Sequence, residues 1–552
     1  DAEENHPKVL WIWRGNLIGT SMRGHEYGLK HLLGTHNNVL GEDRAEGMVE
    51  GIKWHKDAPL GKLDLVVNVN LRMDSSANYS DIVLPTAHWY EKYDLTCSDL
   101  HSFFHPFTPA HDAPWEAKHD WEAFKEVAAK VSKLAEKHMP DEFEDMVMTP
   151  MITDCPDEMA QPMGEIQDWY NGEVEAVPGK SFPKVKIVKR DYTKILERYT
   201  TFGPNVCRPN GYGCKGIMGD LTEVCENLKT SYLVGEKDGR PSLERAEQVC
   251  ETILRISPES DGELSHQIFL DLEKRVGLPL ADLVEGDREI HHHYPELQSQ
   301  PRRSLTSPHW SAIECPGRTY APWSMNVERL KPWHTLTGRQ EIYFDHRGYR
   351  ELGESMPTYK PPVDMVKIGD CSPSTAEANS KVFRFLTPHG KWSIHSMFWD
   401  TWQMLNLFRG GQVVWINDED AAEIDVKDND WVEVYNENGI CNVRAVLSGT
   451  IPRESVIMYH SSERHVGVPF SPLARKRGKS DLRGGNNNAP TRGMMNPSCM
   501  MGGYANWTYF LNYQGPSPSE RDCAVLIRKM PLASGSKKVL YQDKDAHLVP
   551  NA

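Results

Sequence analysis

Two expected strand ends and one histidine-bearing loop hold the residues whose types and spacing could do chemistry. After the apolar run Val9–Trp13 come Arg14, Gly15 and Asn16, then Thr20 and Ser21 at an expected helix start. Free N–H groups at a helix start attract phosphate, and a nearby guanidinium adds charge-assisted bonds. The glycine spacing matches neither a dinucleotide fingerprint nor a P-loop, so a plain capped turn is the simpler reading of the spacing alone. The stretch from Asn70 through Arg72 and Asp74 to Ser75 and Ser76 follows a second apolar run. Asn, Arg and Ser at a strand end suit a purine edge and a pyrophosphate; a polar surface loop is the alternative. In "TPHGKWSIHS" (Thr387–Ser396), His389 and His395 flank Lys391. Two histidines without a third ligand make a poor metal site, and such a pair is more often structural. Gly410 and Gly411 after Arg409 would let backbone approach a ligand closely. No nucleophile elbow, Ser-His-Asp arrangement or HExxH is present.

The elements expected to position these residues fall into an α/β part and a β part. In residues 1–145, "VLWIW" reads as a strand buried on both faces, "LDLVVNVN" (Leu63–Asn70) and "DIVLPT" (Asp81–Thr86) as two more. A helix over 22–34 ends at the cap candidate Gly34. Ligands of an open parallel sheet bind beyond the carboxyl ends of its strands, where the first two polar groups stand. Trp115–His138 has apolar residues at helical spacing and reads as an amphipathic packing helix. Residues 146–380 form a connecting region with short helices such as Ser242–Ile256, and the tract His291–Tyr294 reads as a solvated loop. From 381 to about 530, short strands recur: "KVFRFLT", "QVVWIN", "DWVEVYN", "CNVRAVLSG" and "SVIMYH". "NENG" (Asn436–Gly439) signals a hairpin, and Glu419–Ile424 one short helix. A barrel of about six strands follows. "RGGNNNAP" (Arg483–Pro490) reads as low complexity, and 531–552 as a tail.

A net charge of -16 over 552 residues argues against a nucleic-acid partner. The 11 cysteines form no CxxC pair and read as ordinary reduced thiols; Cys207, Cys214 and Cys225 are spaced too loosely for a zinc or iron–sulfur site. No apolar run reaches membrane-spanning length. The chain lacks an initial Met and is already strand-like by Val9, as expected of one that opens inside a domain, so its compartment is not legible.

Together these stretches resemble the molybdopterin oxidoreductases of the dimethyl-sulfoxide-reductase superfamily. "SSANYSDIVLPTAHWYEKYDLTCSD" is similar to that family's segment of loop, ADVVLP, aromatic and Glu-Lys pair, and Gln412–His460 is similar to its cofactor-binding barrel. "TPHGKWSIHS", "TLTGRQEIYFDH", "GESMPTYKPP" and "MMGGYANWTYFLNYQG" resemble more narrowly the α subunits of respiratory nitrate reductases and nitrite oxidoreductases. The resemblance runs over nearly the whole chain.

It implies part of a doubly wound α/β molybdopterin domain, a connecting region and a carboxyl-terminal cofactor-binding β-barrel. The implied cofactor is a bis-molybdopterin guanine dinucleotide with molybdenum. Asn70, Arg72 and Ser75 would lie at one nucleotide end, and Arg14, Asn16 and Ser21 at another part of the cofactor. Asp81, Glu91 and Lys92 would hold the loop internally. Thr387, His389, Lys391, His395 and Ser396 would meet the pterins, with His389 and His395 tuning their electronics, and Arg409, Gly410 and Asn512 would add contacts. Nothing matches the family's iron–sulfur ligands or its molybdenum-ligating Asp, so no metal ligand is expected here. The implied partners are the amino-terminal half of the same subunit, an iron–sulfur β subunit and, in some members, a haem or membrane-anchor subunit. The implied reaction interconverts nitrate and nitrite. Asn506, Trp399 and Trp402 depart from the nitrate-reductase pattern and favour nitrite oxidation. The alternatives are another oxyanion reductase or hydroxylating dehydrogenase of the branch, or a catalytically silent scaffold of the same fold.

Overall fold

The computed structural model describes residues 8–21, 25, 29, 32–34, 60–98, 101–148, 167–168, 184–203, 206–209, 212–214, 217–307, 323–333, 339, 342–343, 356, 379–399, 401, 403, 412–436, 439–463, 486–491 and 523–529. The chain divides into two compact units, Asp1–Leu84 with Tyr343–Ala552, and Pro85–Ile342.

In the first unit, β1 (Val9–Trp13), β2 (Leu65–Asn70) and β3 (Ile82–Pro85) form a sheet in that order. β1 and β2 run parallel, Val9 opposite Leu65 and Trp13 opposite Val69. Parallel pairing places both carboxyl ends, and so Arg14–Ser21 and Leu71–Ser76, at the same edge. Asp81 fixes the register of the next strand: its Oδ2 accepts from Val66 N (2.8 Å) and its own N–H donates to Val66 O (2.9 Å). β1 departs from the expected burial on both faces. Its residues Val9, Trp11 and Trp13 are 50%, 42% and 57% exposed, while Ile12 packs with Ile18, Leu29 and Val66. The reason is position: β1 is an outer strand of this sheet, and one of its faces is covered. Gly34 has φ +66°, as a residue ending a helix in the left-handed region requires.

The barrel forms where the short strands recur. Its strands are β6 (Ser380–Leu386), β7 (Val413–Ile416), β8 (Trp431–Asn436), β9 (Gly439–Leu447), β10 (Ser455–Ile457) and β11 (Ala524–Lys529), closed in the order β6-β10-β7-β9-β8-β11. Every second residue points inward: Phe383 and Phe385, Val414 and Ile416, Val432 and Val434, Cys441 and Val443, Val525 and Ile527 make one core. β8 and β9 pair antiparallel from Trp431–Arg444 to Asn436–Gly439, across the expected turn. The closing strand β11 is the one that the sequence did not single out. A short helix, Asp418–Glu423, begins where Asn417 Oδ1 accepts from Glu419 N (3.0 Å).

In the second unit, β4 (Asp94–Ser98) and β5 (His101–Phe107) pair antiparallel. Lys92 is buried, with Nζ 2.8 Å from Asp94 and 3.2 Å from Asp120, and Glu91 accepts from His88 N (2.9 Å). These are the internal roles expected of Lys92 and Glu91. The packing helix spans Asp120–His138 and buries Ala128, Ser132 and Ala135; Val131 and Leu134 are more than a third exposed, so its inward stripe is the small-residue one. Two expectations fail here. Cys207 and Cys225 form a disulfide, with Cα atoms 5.7 Å apart, because both fall in one apolar cluster with Phe202, Val206 and Leu264. The His291–Tyr294 tract is no solvated loop: His291 Nδ1 lies 2.8 Å from Asp261, His292 Nε2 2.9 Å from Arg303 O, and His293 Nδ1 2.6 Å from Glu251. Adjacent side chains diverge, and each finds its own acceptor. Among the described residues no helix is long and apolar enough to cross a membrane.

Candidate functional site

The strand ends of the sheet and one rim of the barrel converge within the first unit. After β1, residues Leu17–Ser21 wind one π-helical turn, with Thr20 N and Ser21 N both donating to Asn16 O (2.9 and 3.1 Å). The turn sits tightly on the short helix Ser75–Asn78: a Cβ on Gly19 would stand 2.6 Å from Ser75 Cβ and would collide with Asn16 Oδ1. Gly19 N donates to Ser76 Oγ (2.9 Å), and Asn16 Oδ1 accepts from Ser76 N (3.1 Å) and Ser76 Oγ (2.7 Å). Asp74 starts the short helix by accepting from Ala77 N (2.8 Å) and takes Asn70 Nδ2 at 2.8 Å. Burial is the main reason its carboxyl is pushed up to about 6, with Glu463 adding to the rise.

Glu463, two residues beyond Ser461 on the segment that leaves β10, is the centre of the convergence. Its side chain is fully buried and accepts from Asn16 Nδ2 (3.0 Å), Ser75 N (3.2 Å), Ser75 Oγ and Arg72. Arg72 also donates to Ser396 O (2.7 Å), in the histidine loop. Four expected site residues, Asn16, Arg72, Ser75 and Ser396, are therefore brought together. Asn70 lies beside them, and Arg14 is half-buried at φ +52°. Ser21 ends the π turn on the exposed side, and Thr387 is half-buried at the foot of the histidine loop. Lys391 is exposed and lies over the Trp392 ring, 4.6 Å from its centroid. Arg409, Gly410 and Asn512 lie outside the described residues, as do Trp402 and Asn506.

Parallel β6 and β10 explain the histidines. Their register sets Leu386 opposite Ile457, and the pairing continues past both strand ends, with His460 N donating to Pro388 O (3.1 Å). His389 and His460 thus meet, His460 Nε2 being 3.0 Å from His389 Nδ1. His395 closes the group at φ +48°, a backbone conformation costing a non-glycine residue about 1 kcal/mol or more. Trp399 holds it there: the buried indole packs with Phe398 and Tyr459 and donates to His395 O (2.7 Å). One ring nitrogen from each histidine lies within 4.8 Å of the others, so the third imidazole that the sequence did not reveal is His460. Three imidazoles so placed could take a transition metal. Burial, then the two neighbouring rings, pushes His460 down to about 4, leaving it neutral near neutral pH.

The stretch Asn486–Asn488, part of the expected low-complexity segment, is a buried polar buckle. Asn486 Nδ2 donates to Gly19 O (2.7 Å), Asn488 Nδ2 to Thr20 O (2.6 Å), and Asn487 Oδ1 accepts from Ser461 N (2.9 Å). The segment reads as low complexity by composition, but each amide finds a backbone partner far away in sequence. Among the described residues, Asn487 Nδ2 and Ser462 Oγ are buried without a hydrogen-bond partner. Buried donors left unpaired cost about 1–3 kcal/mol each, so they suit a ligand rich in acceptors. Pterin carbonyls, ring nitrogens and phosphates are such acceptors, and on this chemistry the residues present fit a molybdopterin dinucleotide.

Known families match along the chain. Residues 24–130 match the family described as molybdopterin oxidoreductase, 210–328 the nitrate reductase alpha chain domain V, and 383–507 the molydopterin dinucleotide binding domain. The chain is 44% identical over 537 residues to the nitrate reductase alpha chain of Bacillus subtilis (strain 168). It is 40% identical over 534 residues to the respiratory nitrate reductase 1 alpha chain of Escherichia coli (strain K12). It is 28% identical over 526 residues to the perchlorate reductase subunit alpha of Dechloromonas aromatica (strain RCB). These alignments cover 96%, 96% and 95% of this chain but 43%, 42% and 39% of the relatives, so it spans less than half of their length. The chain is thus similar to molybdopterin oxidoreductases over three separate stretches and to nitrate reductase alpha chains over nearly its whole length.

Proposed function

We propose that this chain is part of the catalytic subunit of a molybdenum oxidoreductase interconverting nitrate and nitrite, and that it cradles a bis-molybdopterin guanine dinucleotide. The observation that carries this reading is the 40–44% identity to nitrate reductase alpha chains over 96% of the chain. The strand-end convergence supports it, since ligands of such sheets lie beyond the carboxyl ends of the strands. The three-stranded sheet is taken as part of a doubly wound α/β domain.

Bound there, the cofactor supplies oxygen-atom transfer and two-electron redox chemistry. The chain's own residues bind and orient. Asn487 Nδ2 and Ser462 Oγ offer donors, and His389, His395 and His460 present ring nitrogens where a pterin edge would lie. A neutral imidazole either donates or accepts according to its tautomer, so the trio suits a ring system carrying both kinds of group. Arg72, Asn16 and Ser75 hold the bed together, and Trp399 keeps the histidine loop in its strained conformation. Nitrate, two electrons and two protons give nitrite and water, or the reverse; the electrons would pass through an iron–sulfur partner subunit.

The experiment is an assay of both directions on the intact complex. Nitrate reduction or nitrite oxidation that depends on molybdenum is expected. Turnover of perchlorate or chlorate with none of nitrate or nitrite would replace this reading with the oxyanion reductase that the perchlorate reductase relative favours.

A further inference from the structure

Glu463 belongs to no motif, yet two strand ends and a loop are arranged around it. A carboxylate taken fully out of water costs several kcal/mol unless donors saturate it. Among the described residues every donor to it comes from Asn16, Arg72 and Ser75, at the carboxyl ends of β1 and β2. Its own backbone is tied to the barrel, since Gln412 Nε2 donates to Glu463 O (2.9 Å). Arg72, which the carboxylate fixes, donates in turn to Ser396 O beside His395. One buried charge therefore links the π turn, the loop after β2 and the histidine loop.

We propose that Glu463 is a positioning residue for the cofactor bed, holding Asn16, Arg72 and Ser75 in the arrangement that receives the dinucleotide. The inference rests on the cofactor reading above. Without the carboxylate, buried donors on three residues lose their acceptor, and the guanidinium is free to leave Ser396. The bed then loosens although the barrel core, built from Phe383, Val432, Val443 and their neighbours, is untouched.

The test is Glu463→Gln, with Glu463→Ala beside it, in the intact catalytic subunit. Both are made in cells that synthesise the cofactor and in cells that cannot. Guanine and molybdenum per polypeptide are measured in the first set and thermal midpoints in both. A fall of about tenfold in bound guanine and molybdenum is expected, the size seen when residues supporting a ligand shell are removed. The cofactor-free variant Glu463→Gln, whose amide oxygen still accepts from part of the donor set, should lose less midpoint against its cofactor-free parent than the variant made with cofactor loses against its own. Full loading of both variants would overturn the proposal. So would equal losses of midpoint in both forms with loading unchanged, because that is a purely structural ion pair. Should Glu463→Ala fail to fold, Glu463→Gln decides. A parent free of guanine and molybdenum would instead overturn the cofactor reading, and this inference with it.

Discussion

Among the described residues two groups of three histidines stand out, and they are built on opposite principles. In the Pro85–Ile342 unit, His291, His292 and His293 each reach a separate acceptor: Asp261, the Arg303 carbonyl and Glu251. In the other unit, His389, His395 and His460 face one another, with ring centroids 4.4–5.2 Å apart. The first group is adjacent in sequence, which sends the side chains apart. The second is assembled from two parallel strand ends, which brings them together. A histidine answered by a carboxylate or a carbonyl is holding the fold; imidazoles that face one another, with the Ser461 hydroxyl 3.3 Å from His460 Nδ1, are left for something else to complete. Sequence adjacency, which first draws the eye, is the poorer guide of the two.

The largest expected effect breaks the supported group. Glu251 accepts from His293 Nδ1 and Tyr294 N (2.8 Å) while almost fully buried, so Glu251→Ala strands two donors. A loss of about 3 kcal/mol is expected in denaturant or thermal unfolding, with turnover per folded molecule unchanged. An equal loss of turnover would erase the distinction between the groups. Next, the double substitution His389→Ala with His395→Ala should lower turnover about tenfold, roughly 1.4 kcal/mol, while the fold remains. Unchanged activity at full molybdenum loading would contradict their role at the pterins.

The smallest effect is one of pH. His460 titrates near 4 in the fold against an ordinary 6.5, so the unfolded chain binds the extra proton between these values. Its contribution to stability is fully present above 6.5 and is lost as pH falls toward 4. His292, pushed down mainly by burial, acts in the same direction. Asp74 acts oppositely: raised to about 6 from 3.8, it contributes stability at low pH that is lost as pH rises through 6. In His460→Asn the decline of thermal midpoint between pH 6.5 and 4 should be shallower than in the parent. An unaltered slope would mean that His460 does not resist protonation.

Much of the fold was legible because it is local. Short runs recurring at regular spacing mark five barrel strands, Asn438-Gly439 marks the hairpin, and the apolar runs mark the sheet. The strand-end rule points to Asn16, Arg72 and Ser75, and the resemblance of the histidine loop to Ser396; the four do converge. What escaped depends on distance along the chain. Glu463 meets Arg72 across 391 residues and Asn16 across 447, and Asn488 meets Thr20 across 468. No spacing carries such a signal. β11 escaped since one short apolar run far from its neighbours cannot be told from any other. The Cys207–Cys225 bridge escaped because closure depends on how the intervening loop folds.

The most direct measurement is the molybdenum and guanine content of the intact subunit that carries this sequence, together with its turnover of nitrate and nitrite. Molybdenum accompanied by guanine in about twofold excess, with nitrate–nitrite interconversion, is expected of a bis-molybdopterin guanine dinucleotide enzyme. A folded subunit with neither molybdenum nor guanine, and no turnover, would contradict the catalytic reading and identify a silent scaffold.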